Sequence, residues 1–597
     1  MNAKRQLVER IRSHVDGNAI AIAHGEHRIT YSALHALLDL RISVLRGHGA
    51  AGRLVAVERR KSADFVVDFL SVLAVGGTVV PLDPDTPADR RATFLELTRP
   101  ELLLRNGVPL PLGGDGSLGI PDDGAFVYFT SGSTGIPKPV LGSAAAQRSF
   151  LEWFCPEFGI GEADRFAFLT GVSFEASLRD ILPPLYAGAT LVVPDSAGGD
   201  APEATVAWLA GNDISVVTAV PSVARTWLRS ARAPAPSVRA VFFVGEPLTA
   251  DVLTGWPALF PNTAVRVNSY GSTEGGQATI YHRLQGRPPA RVPAGRPVPG
   301  TRYCLIDPAA PLRPDVVRAS LAEPATGGEI VVVSRSCSHG YLGMPAENAA
   351  RFADLGGGLT AYRTGDLGQV DDRGDLCVLG RVDDQVKING VRVHPAEVTR
   401  ALRAHPAVDD AFVTAAASAT DSADARLTAY VVPSRELSPL DLRRDLLDRL
   451  PPAMVPARFV RLPELPRART GKVDRDALVR LAEHQPATDA FVPPSGDLEC
   501  WLAEQVAALL DRDRVSASDD LFALGGDSIT AARLAARLSG EFGVDLSLRS
   551  IFAAGTVAGV ADAVVEHQLL AADPDEARAL LDAVGGGAPD ELRRESA

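Results

Sequence analysis

Over residues 1–380, short β-branched runs alternate with helical patterns. Thr78–Leu82, Ala189–Val193, Ser215–Ala219 and Ala240–Val244 are such runs, and Gly, Pro or Asp closely follows each. Runs this apolar suit strands covered on both faces, and the helical patterns between them supply the cover. The alternation therefore predicts an α/β chain built in layers, with largely parallel strands. Tyr303–Ile306 and Gly328–Val333 read as strands with no long helix between them, so a β-rich section precedes residue 380. A smaller α+β pattern follows. It has a strand over Val386–Val393, a helix over Pro395–Ala404, strands over Val408–Ala415 and Arg426–Pro433, and a helix over Asp441–Leu450.

At 597 residues the chain exceeds what one core holds. Glu483–Gly496 carries Pro486, Pro493 and Pro494 without periodicity and reads as a stiffened linker. Beyond it, Asp497–Leu510, Ser528–Glu541 and Val557–Leu570 are three helical patterns, enough for a small bundle. Residues 571–597 read as a loosely ordered tail. The expected divisions are 1–382, 383–482, 483–496, 497–570 and 571–597.

Charge follows the same divisions. The net charge is −13. Residues 497–570 hold 12 Asp and Glu against 5 Lys and Arg, and residues 571–597 hold 7 against 3. The acidity thus belongs to the C-terminal sixth, as a separate domain meeting basic partner surfaces would have it. An acidic balance excludes a general nucleic-acid binder. Cys155, Cys304, Cys337, Cys377 and Cys500 form no CxxC pair, which excludes a disulfide framework and the familiar zinc spacings. Reduced thiols in a cytoplasmic chain are expected. The N-terminus lacks the apolar core of a signal peptide. Phe65–Leu82 is the most apolar stretch, but Asp68 and Gly76-Gly77 interrupt it; it reads as helix, turn and buried strand, with no membrane span.

Val127-Tyr-Phe-Thr130-Ser131-Gly132-Ser133-Thr134-Gly135-Ile-Pro-Lys138 is the most informative segment. Glycines let backbone N–H groups curl around an anion, hydroxyls add donors, and a lysine adds charge. Phosphate binding follows, although the spacing is not that of a Walker loop. The segment resembles the phosphate loop of the adenylate-forming superfamily, in particular the adenylation domains of nonribosomal peptide synthetases. Further family signatures follow in order. They are Asn268-Ser-Tyr270-Gly271-Ser-Thr273-Glu274, Gly327-Gly328-Glu329, Tyr362-Arg363-Thr364-Gly365-Asp366, Gly380-Arg381-Val-Asp383-Asp-Gln-Val-Lys387-Ile-Asn389-Gly390 and Thr470-Gly471-Lys472. Asp520-Leu-Phe522-Ala-Leu-Gly525-Gly526-Asp527-Ser528 resembles a peptidyl carrier domain. Pro139 stands where the family usually has glycine, and Asn389 where it usually has arginine.

The resemblance implies a large multi-layer N-terminal adenylation subdomain over 1–382, a small α+β subdomain over 383–482, and a helical-bundle carrier over 497–570. It implies ATP, Mg²⁺ and a covalent 4′-phosphopantetheine as cofactors. A substrate carboxylate would attack the α-phosphorus of ATP, releasing pyrophosphate and leaving an acyl-adenylate. Thr130, Ser131, Gly132, Ser133, Thr134 and Lys138 would hold the phosphates. Glu274 would ligate Mg²⁺, with Thr273 near the α-phosphate. Tyr270, beside Gly271, would stack on adenine. Asp366 would accept from the ribose hydroxyls, which suits the several acceptor sites of a carboxylate. Arg381 is a ribose or phosphate candidate, Lys472 would bridge carboxylate and α-phosphate, and Asp383 marks the hinge. Ser528 would carry the phosphopantetheine. Taken singly, each is commonplace: a flexible loop, a solvated Glu, a packed Tyr, a surface Lys, a helix cap.

Ser173-Phe174-Glu175-Ala176-Ser177-Leu178-Arg179-Asp180 aligns with the family's F-D-x-S motif, whose aspartate pairs with a substrate α-amino group. Glu175 keeps that charge. Arg179 falls at a pocket position, where a guanidinium would pair with a carboxylate. Ala176, Thr218, Phe242, Val244, Ser269, Gln277 and Ala278 complete the pocket by alignment. The plain alternative for Glu175 and Arg179 is an ordinary i,i+4 helix pair. Glu with Arg resembles an α-aminoadipate pocket in which the distal carboxyl is activated. An acidic amino acid is the expected substrate; a polar or anionic side chain with ordinary α-carboxyl activation is the alternative. An acyl- or aryl-CoA ligase and an inactive scaffold are the competing readings. Expected partners are a phosphopantetheinyl transferase and a downstream condensation, tailoring or transferase enzyme in antibiotic or related biosynthesis. A small MbtH-like protein is a further candidate. Nucleic acid and membrane are not expected.

Overall fold

A helix that buries nearly every side chain, Ala63–Val75, shows how the layers form. Ser62 caps its start by accepting from the Phe65 amide, and Gly76 ends it in the left-handed region at φ 89°. The chain then enters the fully buried strand Thr78–Leu82. The most apolar stretch is thus helix, turn and strand. Asp68, inside that helix, is fully buried between Arg41 and Arg59 at 3.0 and 2.9 Å. The computed structural model describes residues 3–14, 18–132, 135–195, 202–231, 233–286, 288–289, 291–388, 390–418, 421–435, 437–467, 473–484, 491–526 and 528–571.

Two large sheets carry most of the chain before residue 300. One has six strands in the order Val108–Pro111, Leu102–Arg105, Leu54–Glu58, Thr78–Leu82, Gly124–Thr130, Lys138–Ser143. The other has nine, running from Arg296–Pro297 through Gln277–Arg283, Val265–Ser272, Ala240–Val244, Val216–Ala219, Arg165–Ala167, Thr190–Val193 and Ile20–His24 to His27–Thr30. Inner strands pair in parallel and the outer ones antiparallel. Tyr31–Gly47, Ala63–Val75, Ala144–Glu157 and Ser177–Ala187 share one core with side chains of both sheets. A third, antiparallel sheet joins Thr301–Ile306, Gly327–Ser334, Leu359–Val370, Phe352–Gly356 and Leu376–Arg381, which is the expected β-rich section.

The chain packs as two units: residues 1–404 with 411–427 and 448–454, and residues 405–410 with 428–447 and 455–597. Two expectations need correction. Val386–Val393 is not one strand but a hairpin of Val386–Ile388 and Val391–Val393, turned at Gly390 with φ 77°. The C-terminal bundle has, among the described residues, four helices rather than three: Gly496–Leu510, Ser528–Phe542, Leu548–Ala554 and Val557–Ala571. Seven residues are too few to display a helical period.

Within the second unit, the bundle is tied to the helix Pro439–Arg449. Arg443 is fully buried. Its Nη1 donates to Asp520 at 2.7 Å, and its guanidinium lies 4.6 Å from the Phe522 ring centre and 5.8 Å from that of Phe459. Asp520 also accepts from the Phe522 and Ala523 amides, fixing the turn. Gly555 lies against the same helix, where a Cβ would come within 2.3 Å of Leu440. Arg443→Ala should destabilise this unit by about 3 kcal/mol, because it strands a paired carboxylate and opens a void. Urea denaturation of single and double variants with Asp520→Ala checks this. Purely additive losses would mean that the pair is not coupled.

Candidate active site

The glycine-rich segment connects two antiparallel strands, with Thr130 opposite Lys138. The tight return explains its glycines. A Cβ on Gly132 would sit 2.1 Å from the Ile136 carbonyl oxygen, and Gly135 takes φ 78° while donating to Gly132. Lys138 is buried, ion-paired to Glu347, with its ammonium 5.1 Å from the Tyr341 ring centre. Ser133 and Thr134 lie outside the described residues, as do Asn389, Thr470, Gly471 and Lys472.

Glu274 is 1% exposed and accepts four hydrogen bonds. Arg392 Nη1 reaches both oxygens at 3.0 and 2.9 Å, the Tyr341 hydroxyl donates at 3.1 Å, and the Thr130 hydroxyl at 3.2 Å. Burial alone would raise its pKa, but the Arg392 charge and these donors outweigh burial and hold it below the usual range. Gln385 links this group to the loop: its amide donates to Ser131 Oγ at 3.2 Å, and its carbonyl accepts from Arg392 at 2.6 Å. Thr273 follows the strand Val265–Ser272. Gly271 is needed within that strand, since a Cβ there would lie 1.5 Å from the Gln277 carbonyl oxygen.

Asp366 and Arg381 face each other across two antiparallel strands. Arg381 Nη1 donates to Asp366 at 2.5 Å and its Nε to Asp383 at 2.7 Å. The Tyr270 hydroxyl donates to the other Asp366 oxygen at 2.6 Å. Burial raises the Tyr270 pKa and Asp366 raises it further, so the phenol keeps its proton and remains a donor. One guanidinium thus holds the acceptor carboxylate and the Asp383 carboxylate together.

The Glu175 segment departs from the plain alternative. The helix begins at Ser177, so Glu175 and Arg179 are not a helical i,i+4 pair. No ion pair joins them within 4 Å among the described residues. Burial pushes the Glu175 carboxyl up to about 6, opposed by Arg179 and reinforced by Glu274. Arg179 is 8% exposed, its Nε has no hydrogen-bond partner among the described residues, and burial lowers its pKa against Glu175 and Asp180. Ala176 precedes the helix as its cap residue. Thr218 lies opposite Phe242, and Val244 opposite Ser269, so these four share one face of the large sheet. Phe242 packs on Phe154 and Phe158 at 4.7 and 4.9 Å. Gln277 donates to Gln147 at 2.7 Å, and Ala278 follows it on the same strand. Ser528 opens the helix Ser528–Phe542 in the second unit.

Sequence reasoning missed Tyr341, Gln385, Arg392, Asp180 and Gln147. Asp180 is buried and accepts from the Leu169 and Thr170 amides at 3.2 and 2.9 Å, anchoring that loop. Gln385 and Asp180 stood inside quoted motifs without a role. Arg392 and Tyr341 carry no local signal, because their partner Glu274 is far away in sequence.

Comparison with known proteins gives three family matches. A model described as AMP-binding enzyme matches residues 9–112 and 116–342, the AMP-binding enzyme C-terminal domain matches 397–472, and the phosphopantetheine attachment site matches 500–564. Enterobactin synthase component F of Escherichia coli O157:H7 is 32% identical over 584 residues, spanning 91% of this chain and 44% of that protein. A dimodular nonribosomal peptide synthase of Bacillus subtilis (strain 168) is 32% identical over 600 residues, spanning 91% and 24%. The chain thus spans less than half the length of these relatives. Holo-PA1221, a solved nonribosomal peptide synthetase protein containing adenylation and carrier domains, superposes with a TM-score of 0.73 at 24% identity, over 94% of this chain and 96% of that one. It shows the same fold. A four-domain synthetase, holo-AB3403 bound to AMP and glycine, gives 0.55 at 25% identity, over 95% and 43%. Among the described residues no helix is long and apolar enough to cross a membrane.

Proposed function

Because this chain belongs to the AMP-binding enzyme family and continues into a phosphopantetheine attachment domain, we propose that it activates an amino acid with ATP and loads it onto Ser528. The substrate carboxylate attacks the α-phosphorus and pyrophosphate leaves. Ser528 would hold the phosphopantetheine arm, whose thiol would take the acyl group as a thioester with AMP as the leaving group. The carrying observation is the buried set of Glu274, Thr130 and Ser131 beside Lys138. It offers hydroxyls and a cation for phosphates, and a lone buried carboxylate of the kind through which Mg²⁺ joins a nucleotide. That ion supplies charge neutralisation at the phosphates. Arg392 reaches both Glu274 oxygens, and the one that Tyr341 and Thr130 do not bond keeps an acceptor site toward such an ion. Asp366, held by Tyr270 and Arg381, suits the ribose hydroxyls. Lys472 serves the α-phosphate, with Asp383 as the hinge after residue 382.

An acidic amino acid is the substrate this reading favours, and the carboxyl it activates is the distal one. Glu175 receives the ammonium, and the buried Arg179 guanidinium receives a carboxylate. The ammonium needs Glu175 ionised. The KM for the amino acid should therefore rise as pH falls through about 6, and Glu175→Gln should flatten that dependence. For folding the sign is opposite. A raised carboxyl favours the protonated folded state, so Glu175 costs stability above about 6 and none below its ordinary 4.5. Equilibrium melts from pH 4 to 8 separate the two.

A phosphopantetheinyl transferase must install the arm, and a downstream enzyme must take the acyl group. Mass spectrometry after incubation with such a transferase, ATP and amino acids tests the whole reading. A pantetheine adduct with an aminoacyl increment on Ser528 supports it. Free acyl-CoA formed in its place would overturn it.

A further inference from the structure

The helix Ala144–Glu157 buries Gln147, Phe150, Leu151 and Phe154 along one face. These positions recur at helical spacing, and three of the four are hydrocarbon or aromatic. The face meets the strands that carry Phe242 and Gln277. An amide in this stripe calls for a reason.

Gln147 and Gln277 are each 3% exposed and share one hydrogen bond of 2.7 Å. Each amide has a carbonyl and an NH₂ group. One bond between two amides leaves one carbonyl and one NH₂ over, whichever way the amides are assigned. Here Gln277 Oε1 and Gln147 Nε2 are buried without a hydrogen-bond partner among the described residues, as is Arg179 Nε. Folded interiors leave few such groups, and each is costly. Gln277 also holds the left-handed backbone, φ 68°, which a residue with a Cβ rarely adopts and which concentrates at functional sites. The strained residue and the two buried amides lie on Gln277–Arg283 and Ala144–Glu157, and the buried guanidinium on Ser177–Ala187; apolar side chains of all three elements share one core.

We propose that Gln147 is a specificity-determining residue, and that the Gln147–Gln277 pair takes a substrate end group carrying both a hydrogen-bond acceptor and a donor. This rests on the amino-acid-activating reading above. A terminal carboxamide has both atoms on one carbon. The head group of an amino acid activated at its distal carboxyl has them as carboxylate and ammonium. A hydrocarbon end has neither, and would leave the buried polar groups unmatched.

ATP–pyrophosphate exchange with 2-aminoadipate, glutamine and norleucine tests this. The wild type should prefer a polar-ended substrate over norleucine by about tenfold or more. Gln147→Leu should lower kcat/KM for that substrate by about tenfold, chiefly through KM, and raise it for norleucine. Gln147→Glu is nearly isosteric and removes the spare donor; it should weaken carboxylate-bearing substrates most, and it carries the test if the leucine variant fails to fold. Preference for 2-aminoadipate marks head-group recognition, and preference for glutamine marks a carboxamide. An unchanged substrate ranking in folded Gln147 variants, or norleucine as the best wild-type substrate, overturns the inference while leaving amino-acid activation standing. Exchange with no amino acid at all overturns both.

Discussion

Ser528→Ala should abolish loading completely while leaving ATP–pyrophosphate exchange unchanged within about twofold. The two half-reactions draw on different groups. In the proposed function, adenylate formation uses the loop and carboxylates of the first unit, whereas the thioester needs an arm held on the Ser528 oxygen. An alanine hydrogen cannot be phosphopantetheinylated, and neither immediate neighbour, Asp527 or Ile529, carries a hydroxyl. Intact-protein mass spectrometry reads the first effect and exchange kinetics the second. A variant that still gains both increments would place the attachment point elsewhere. A variant that also loses exchange would tie the carrier to adenylate formation.

Glu274→Gln should lower exchange by about a hundredfold or more, the scale for removing a preorganised charge from a phosphoryl-transfer site. The amide keeps the shape but not the charge. It cannot neutralise Mg²⁺, and it leaves the half-buried Arg392 guanidinium beside a neutral group. That second effect should cost about 3 kcal/mol of stability. The carboxylate's depressed pKa predicts the same loss by acid: its contribution is present above the ordinary glutamate range and disappears as pH falls through its lower folded value. Calorimetry beside exchange kinetics separates the contributions. A variant melting near the wild-type temperature yet inactive assigns Glu274 to chemistry, and one unfolded at assay temperature assigns it to structure.

Local chemistry was the legible part of this chain. Gly76 after an apolar helix, and hydroxyls with glycines after a strand, each state a backbone need that few other residues meet. What stayed hidden were meetings between distant segments. Arg392 and Tyr341 are ordinary residues until the fold brings them to Glu274. Gln147 is one amide in a stripe of aromatics, and its partner lies 130 positions away. The hairpin in Val386–Val393 was legible but passed over: the apolar positions shift phase from 386 and 388 to 391 and 393 across Asn389-Gly390, a pair that favours tight hairpin turns. The Glu175–Arg179 spacing suggested a helical pair, but the helix starts one residue after Ala176.

The Arg443 clamp bears on how such chains can be recombined. The Pro-rich stretch at 483–496 looks like the natural place to cut and splice a foreign carrier. A splice there would part Arg443 from Asp520 and leave Gly555 facing a helix it was not shaped for. A chimaera would then begin with a buried guanidinium opposite whatever the new carrier offers. The portable piece starts ahead of Pro439, so that the helix and the bundle it grips travel together.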